Sequence, residues 1–396
     1  MKHSRISELD GLRGLAACIV LLHHAFPTPL FSAWIVMEGF FCLSGFLITT
    51  ILLRIDLSQP IAIRNFMVRR TLRIWPVYFL ALLSAYLLGV AFEMRQPELY
   101  PDLTWWKGIF FLQFSEGYSQ LGSSDYLYDY ALWFRPTWSL AVEEQYYLLW
   151  PVLILLAKGR RAIMLTICVA LVVTGFAMRD AGYQLNLLLT RGDGFALGSA
   201  LAILQESLVK RGENFRRAAV GLYALAFAAG LYVCGEYILT GYLSGAVQSY
   251  SDIMKYGDWT RNVFFAALLA MGIIGLLRTG HLAFARRALS NRPLIYMAEI
   301  SLALYLFQDQ VITVVRTLAS MLHLPHGVWI ELLGMGLSIA AAELSRRLIE
   351  RPVNRLKRLF PAITPDGKVA EVISADVEAP RAAKAGSPGH IMPAAA

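Results

Sequence analysis

Ten apolar runs, each about as long as the roughly 20 residues a helix needs to cross a bilayer, leave this chain few ways to fold. They lie at about 12–30, 33–53, 75–92, 136–157, 162–178, 186–205, 218–238, 260–277, 294–316 and 327–348. In lipid, every backbone N–H and C=O must be paired within the spanning structure, and runs of this length achieve that as α-helices. Composition agrees: 57% of the 396 residues are hydrophobic and only 16% are charged, with a mean hydropathy of +0.52. One soluble core could not bury 21 Phe, 18 Tyr and 9 Trp as well. A soluble enzyme, a disordered chain and a disulfide-rich secreted scaffold are excluded. The expected fold is an all-α integral membrane bundle of ten transmembrane helices.

The charges between the runs set the expected orientation. Clusters at Lys2/Arg5, Arg54 to Arg73, Lys158 to Arg161, Lys210 to Arg217, Arg278 to Arg292 and Arg346 to Arg358 hold 24 Lys and Arg. The alternate segments hold five: Arg95, Lys107, Arg135, Arg179 and Lys255. Ten helices with both termini inside put every cluster in the cytoplasm, as the positive-inside rule requires. The same dispersal argues against nucleic acid as the partner of a chain with net charge +8. Cys18, Cys42, Cys168 and Cys234 all sit in apolar segments without metal-ligand spacing, so neither a disulfide framework nor a metal site is expected. The first run carries Arg13, His23 and His24 and lacks a small-residue cleavage site, which does not fit a signal peptide. Residues 1–360 are expected to form the membrane domain, and the Ala-, Pro- and Gly-rich residues 361–396 a disordered cytoplasmic tail.

One apolar stretch, Trp105 to Phe114, is too short to span and is expected to be interfacial or re-entrant. The polar, aromatic segment 115–135 follows it on the expected outer side. Aromatic rings stack on sugar faces and carboxylates take hydroxyls, so Asp125, Tyr128 and Trp133 are candidates for an acceptor-binding surface. Anchoring of the rings at the headgroups is the plainer reading.

Ionisable side chains at membrane depth are costly and mark function by default. Arg13 and His24 are eleven residues apart, three turns plus about 20°, and share one stripe of one helix over about 16 Å. Counted from the expected span ends, His24, Glu38, Glu143, Glu144, Gln308 and Asp309 all lie about 7–12 Å below the outer boundary. A polar network that merely holds the bundle together is the competing reading. At the cytoplasmic side Arg70 and Arg73 are three apart and share a helix face. Paired guanidinium forks suit phosphates, although any membrane protein carries basic residues here.

Taken in order, ELDGLRGLAA with His24 downstream, EGFFCLSGFLITTILL, RRTLRIWPVYFLALL, TWSLAVEEQYYLLWP, SLALYLFQDQV and ERPVNRL resemble the acyltransferase 3 family of bacterial integral-membrane acyltransferases. The resemblance covers residues 6–356. It implies transfer of an acetyl or other short acyl group from acyl-CoA to a hydroxyl of a carbohydrate-containing acceptor. Such acceptors are cell-surface glycans or glycosylated natural products such as macrolides. The family's Arg/Lys-x10-His pattern falls on Arg13 and His24, its Arg-x-x-Arg on Arg70 and Arg73, and its FFxLSGFL on Phe40 to Leu47, which includes Ser44. Its Ser-x-x-x-Glu-Glu-Gln pattern falls on Ser139 to Gln145. Where the ninth-span motif commonly ends in His, this chain has Gln308, which can bond an acceptor but cannot act as a base. The resemblance implies the stand-alone form, without the extracytoplasmic SGNH hydrolase-like domain that some members carry.

The expected mechanism is O-acyl transfer in a bacterial cytoplasmic (inner) membrane, with acyl-CoA as donor substrate and no permanently bound cofactor. CoA phosphates would rest on Arg70 and Arg73, with Arg13 and Ser44 along the donor arm. His24 would be the general base, since an imidazole suits proton transfer near neutral pH. Glu143, Glu144 or Glu38 would hold its tautomer. Gln308, Asp309 and Trp138, with the three loop residues, would face the acceptor. The alternative from another class is a proton-coupled secondary transporter of a polar solute. It is disfavoured because no half-to-half repeat is visible.

Overall fold

The computed structural model describes residues 7–26, 33–93, 111, 137–183, 187–209, 213–243, 259–279, 282–364 and 369–370. The helices are α1 (Ser7–Ala25), α2 (Ala33–Leu52), α3 (Pro60–Glu93), α4 (Trp138–Leu156), α5 (Arg161–Asp180) and α6 (Gly192–Val209). They continue with α7 (Glu213–Leu243), α8 (Trp259–Thr279), α9 (Ala283–Leu289), α10 (Arg292–Met321), α11 (Val328–Ser345) and α12 (Arg351–Leu356). Each of the ten apolar runs has become a long helix. Among the described residues seven are long and apolar enough to cross a membrane: α2, α3, α5, α7, α8, α10 and the α11–α12 stretch. The expected count of ten is therefore not reached by apolarity alone. The remaining three, α1, α4 and α6, carry Glu8, Asp10 and Arg13, the Glu143–Glu144 pair, and Asp193 with Glu206.

Two boundaries move in ways that matter. The first run was expected at 12–30, but α1 begins at Ser7 and ends at Ala25, so His24 lies in its last turn. The third was expected from residue 75, but α3 begins at Pro60 and runs 34 residues. At 1.5 Å per residue that is about 51 Å, well beyond a hydrocarbon core of about 30 Å. Arg64 to Arg73 are therefore helical rather than loop. Nothing in RNFMVRRTLRIW breaks a helix before Pro76, which is tolerated within it.

α2 packs on α6 and α4, α1 on α10 and α9, α10 on α11, and α8 on α7 and α2. Small residues allow the closest approaches, since packing rather than hydrophobicity drives association in lipid. A Cβ at Gly198 on α6 would lie 1.9 Å from the Cys42 carbonyl oxygen of α2. A Cβ at Gly14 on α1 would lie 1.9 Å from the Leu294 carbonyl oxygen of α10. Elsewhere α5, α7 and α11 turn Val169, Leu225, Tyr232 and Leu332 outward, an apolar face suited to lipid tails.

Beyond α12 the chain is strapped to the basic part of α3. Asn65 Nδ2 donates to the Pro361 carbonyl at 2.8 Å, and Arg69 Nη1 to the carbonyls of Lys357 and Phe360 at 3.2 and 3.3 Å. The Asp56 amide donates to the Ile363 carbonyl at 2.9 Å. Ala362–Ile363 (β1) pairs antiparallel with Val369–Ala370 (β2). These contacts involve residues on both sides of position 360.

Candidate acyl-transfer site

His24 is held by its own helix. Its Nδ1 lies 2.8 Å from the Val20 carbonyl oxygen, one turn back. A carbonyl only accepts, so Nδ1 carries the hydrogen, and in the neutral ring Nε2 is then the nitrogen with the lone pair, the tautomer a general base needs. Gln308 on α10 brings its side-chain nitrogen to 3.5 Å from the same Nδ1. From beyond the C-terminal end of α1, Arg316 Nη2 donates to the His24 and Ala25 carbonyls at 3.0 and 3.1 Å. Arg316 is in turn gripped by Glu331 of α11 through Nε and Nη2 at 3.0 and 2.8 Å. Arg13, three turns below His24, is 3.5 Å from Asp10 on the same helix.

A second polar stripe runs along α4. Ser139, Glu143 and Tyr147 are spaced by four and share a face over about 12 Å. Ser139 Oγ is 2.6 Å from the Tyr305 hydroxyl of α10. The Glu143 carboxylate accepts close hydrogen bonds from Ser44 of α2 and from Tyr147, and the Tyr147 hydroxyl lies 3.4 Å from Ser44 Oγ. Arg70 of α3 covers this cluster, its guanidinium 5.6 Å from the Tyr147 ring centroid and 5.8 Å from that of Phe66. Arg73 follows one turn later on α3, half-buried like Arg70. Tyr305 and Gln308 are three apart on α10, so one helix links the α4 stripe to the imidazole.

The three glutamates do not orient His24. Glu38 Oε1 is 2.6 Å from Arg191 Nη1, whose guanidinium sits 5.1 Å above the Trp138 ring. Glu143 is taken by Ser44 and Tyr147, and Glu144 accepts from Trp75 Nε1 at 3.1 Å. The orienting acceptor is instead the Val20 carbonyl. The reason is electrostatic: a buried guanidinium needs a buried carboxylate, and Arg191 at the foot of α6 faces α2. Beside it Arg179 and Asp193 form a second pair at 2.5 Å, neither side chain exposed at all, and Arg179 also donates to the Thr190 carbonyl at 2.6 Å.

Of the expected acceptor-facing residues, Gln308 reaches the imidazole. Asp309 follows Gln308 on α10, and Trp138 is occupied by Arg191 and by Phe41. Asp125, Tyr128 and Trp133 lie outside the described residues, as does Trp105 to Phe114 apart from Phe111. That ring stacks on Tyr78 at 4.3 Å. Sequence reasoning missed Arg191 and Arg316. The signal for Arg191 was available, a full charge inside an apolar run two residues before Asp193.

A family model described as an acyltransferase domain matches residues 6–344. Among relatives, the peptidoglycan O-acetyltransferase OatA of Listeria monocytogenes is 24% identical over 373 residues, 88% of this chain and 56% of the relative. The O-acetyltransferase OatA of Staphylococcus aureus is 25% identical over 359 residues, 88% of this chain and 57% of the relative. The chain thus spans well under two thirds of the length of these curated relatives. No solved structure matches it.

Proposed function

Because the chain belongs to this acyltransferase family, over residues 6–344, we propose that it is a membrane O-acetyltransferase acting on a glycan hydroxyl, with acyl-CoA as donor. The observation that carries the chemistry is the 2.8 Å contact of His24 Nδ1 with the Val20 carbonyl, which in the neutral ring leaves Nε2 to accept a proton.

The acceptor O–H gives its proton to Nε2 as its oxygen attacks the thioester carbonyl. The tetrahedral intermediate collapses with cleavage of the C–S bond, and the imidazolium returns the proton to the CoA thiolate. Arg70 and Arg73 hold the donor's phosphates. Support for this comes from Arg70, whose guanidinium lies over the rings of Phe66 and Tyr147. The Ser44–Glu143–Tyr147 cluster and Arg13 line the route of the pantetheine arm. Peptidoglycan is the acceptor class favoured by the relatives' activity, and the cytoplasmic membrane of a bacterium is the expected location.

The test is mass spectrometry of envelope glycans from cells carrying the wild-type or His24→Ala gene. Loss of one acyl mass with normal membrane levels of the variant is expected. Undiminished acylation refutes the assignment of His24.

A further inference from the structure

The last turn of any helix leaves four carbonyls without intrahelical partners. In α1 that turn carries the imidazole. Two of its open carbonyls, those of His24 and Ala25, both accept from Arg316 Nη2 at 3.0 and 3.1 Å. Arg316 does not hang free: Glu331 of α11 takes its Nε and Nη2 in a two-pronged grip at 3.0 and 2.8 Å. We infer that Arg316, held by Glu331, is a positioning residue that fixes the backbone of His24 and so the aim of its Nε2. The inference rests on the reading of His24 as the base.

The argument is geometric. A base must stay within hydrogen-bond reach of the hydroxyl it deprotonates, and a misplacement of about 1 Å can lower the rate on the order of 100-fold. A side chain in the final helical turn lacks a following turn to hold it. Here the ring is pinned from below by the Val20 carbonyl, the Gln308 side chain lies 3.5 Å beside it, and its backbone is held from above by Arg316. Two of the three contacts come from α10, which makes that helix the frame against which the imidazole is aligned. Pairing with Glu331 also matters electrostatically. The clamp then adds no net charge beside a ring that must become imidazolium.

An interhelical ion pair that merely stabilises α10 against α11 would show the same Arg316–Glu331 distances. A charge swap separates the two roles. In Arg316→Glu/Glu331→Arg the pair between α10 and α11 is restored, but residue 316 now carries only acceptors and cannot bond the α1 carbonyls.

The full-length protein would be assayed in detergent with labelled acetyl-CoA and soluble peptidoglycan fragments, alongside thermal unfolding. Arg316→Gln should lower kcat about 10- to 100-fold while KM for acetyl-CoA stays within about 2-fold, since donor binding is untouched. The swap should unfold at the wild-type temperature yet keep the low kcat. Where the Gln variant does not fold, Arg316→Lys keeps the charge but gathers its three N–H donors on a single nitrogen. It should lower kcat about 3- to 10-fold, because an ammonium lacks the planar fork that meets both Glu331 oxygens through Nε and Nη2 while reaching the carbonyls. Recovery of kcat in the swap, or an undiminished kcat in the Gln or Lys variant, overturns the positioning role. His24→Ala run in parallel tells the two failures apart. If it still transfers, the base assignment falls. If it is dead while Arg316→Gln is fully active, only the clamp falls.

Discussion

Glu38 separates a structural carboxylate from a chemical one, and the outcome follows from the geometry around it. Its carboxylate is 2.6 Å from Arg191, and the two side chains are 0% and 4% exposed. At an effective dielectric of about 20, two unit charges at that distance attract by roughly 6 kcal/mol, which desolvation largely offsets. Glu38→Leu removes one partner only. Arg191 is then buried with the Trp138 ring at 5.1 Å and the field of Asp193 as compensation. A ring face contributes about 0.5–2 kcal/mol, against a typical loss of about 3–5 kcal/mol for breaking a buried pair. The lower end, about 3 kcal/mol, is expected. Glu38→Gln keeps an acceptor for Arg191 and should cost about 1–3 kcal/mol. Glu38→Leu/Arg191→Leu strands neither charge and should return to within about 1 kcal/mol of wild type. The assay pairs chemical unfolding in detergent with the transfer rate per folded molecule. If Glu38 is structural, that rate is preserved in the Gln variant and in the double variant. A stably folded Glu38→Gln protein without transfer would refute the reasoning and put the carboxylate back in the chemistry.

Arg70→Ala and Arg73→Ala should each raise KM for acyl-CoA about tenfold with little change in KM for the acceptor, since phosphate contacts supply uniform binding energy. Initial-rate kinetics on both substrates check this, and equal effects on the two would return these residues to plain positive-inside charge. Gly14→Ala puts a methyl group 1.9 Å from the Leu294 carbonyl oxygen, whereas Gly39→Ala meets nothing within 4 Å. The first should destabilise by about 1–3 kcal/mol and, by shifting α1 on α10, slow transfer as well. The second should be neutral or gain up to about 1 kcal/mol from helix propensity. Unfolding midpoints compare the two, and a silent Gly14→Ala would show that α1 can slide.

What the sequence made legible was the set of helices, because apolar length is a property of a segment by itself. Each run became a helix, including α4 with its two adjacent carboxyls. Helix ends were less legible, since apolarity marks the stretch that prefers lipid and not the point where hydrogen bonding stops. α3 shows this: Pro60 to Arg73 is polar enough to read as loop, yet it consists largely of residues comfortable in a helix. The pairings were not legible at all. Whether Glu38 meets His24 or Arg191 depends on α2 packing against α6, and that contact is licensed by Gly198 rather than by anything near Glu38.

Depth along a helix is one coordinate, and a contact needs three: equal depth, adjacent helices and facing sides. His24 and Gln308 were expected at similar depth and do meet, but not because their span ends were placed correctly. α1 runs one residue past His24, while α10 runs 13 residues past Gln308, to Met321. By residue count α10 therefore continues 12 residues, about 18 Å of helix, further than α1 beyond the level at which they touch. Arg316 lies on that extension. Read as a sequence it is a boundary charge at the end of a span, of the kind any membrane helix carries. In the fold it lies where α1 has already ended, and the open carbonyls of that ending are what it binds. The early stop of one helix and the late stop of its neighbour place a guanidinium on the base, and neither stop is written in the apolar pattern.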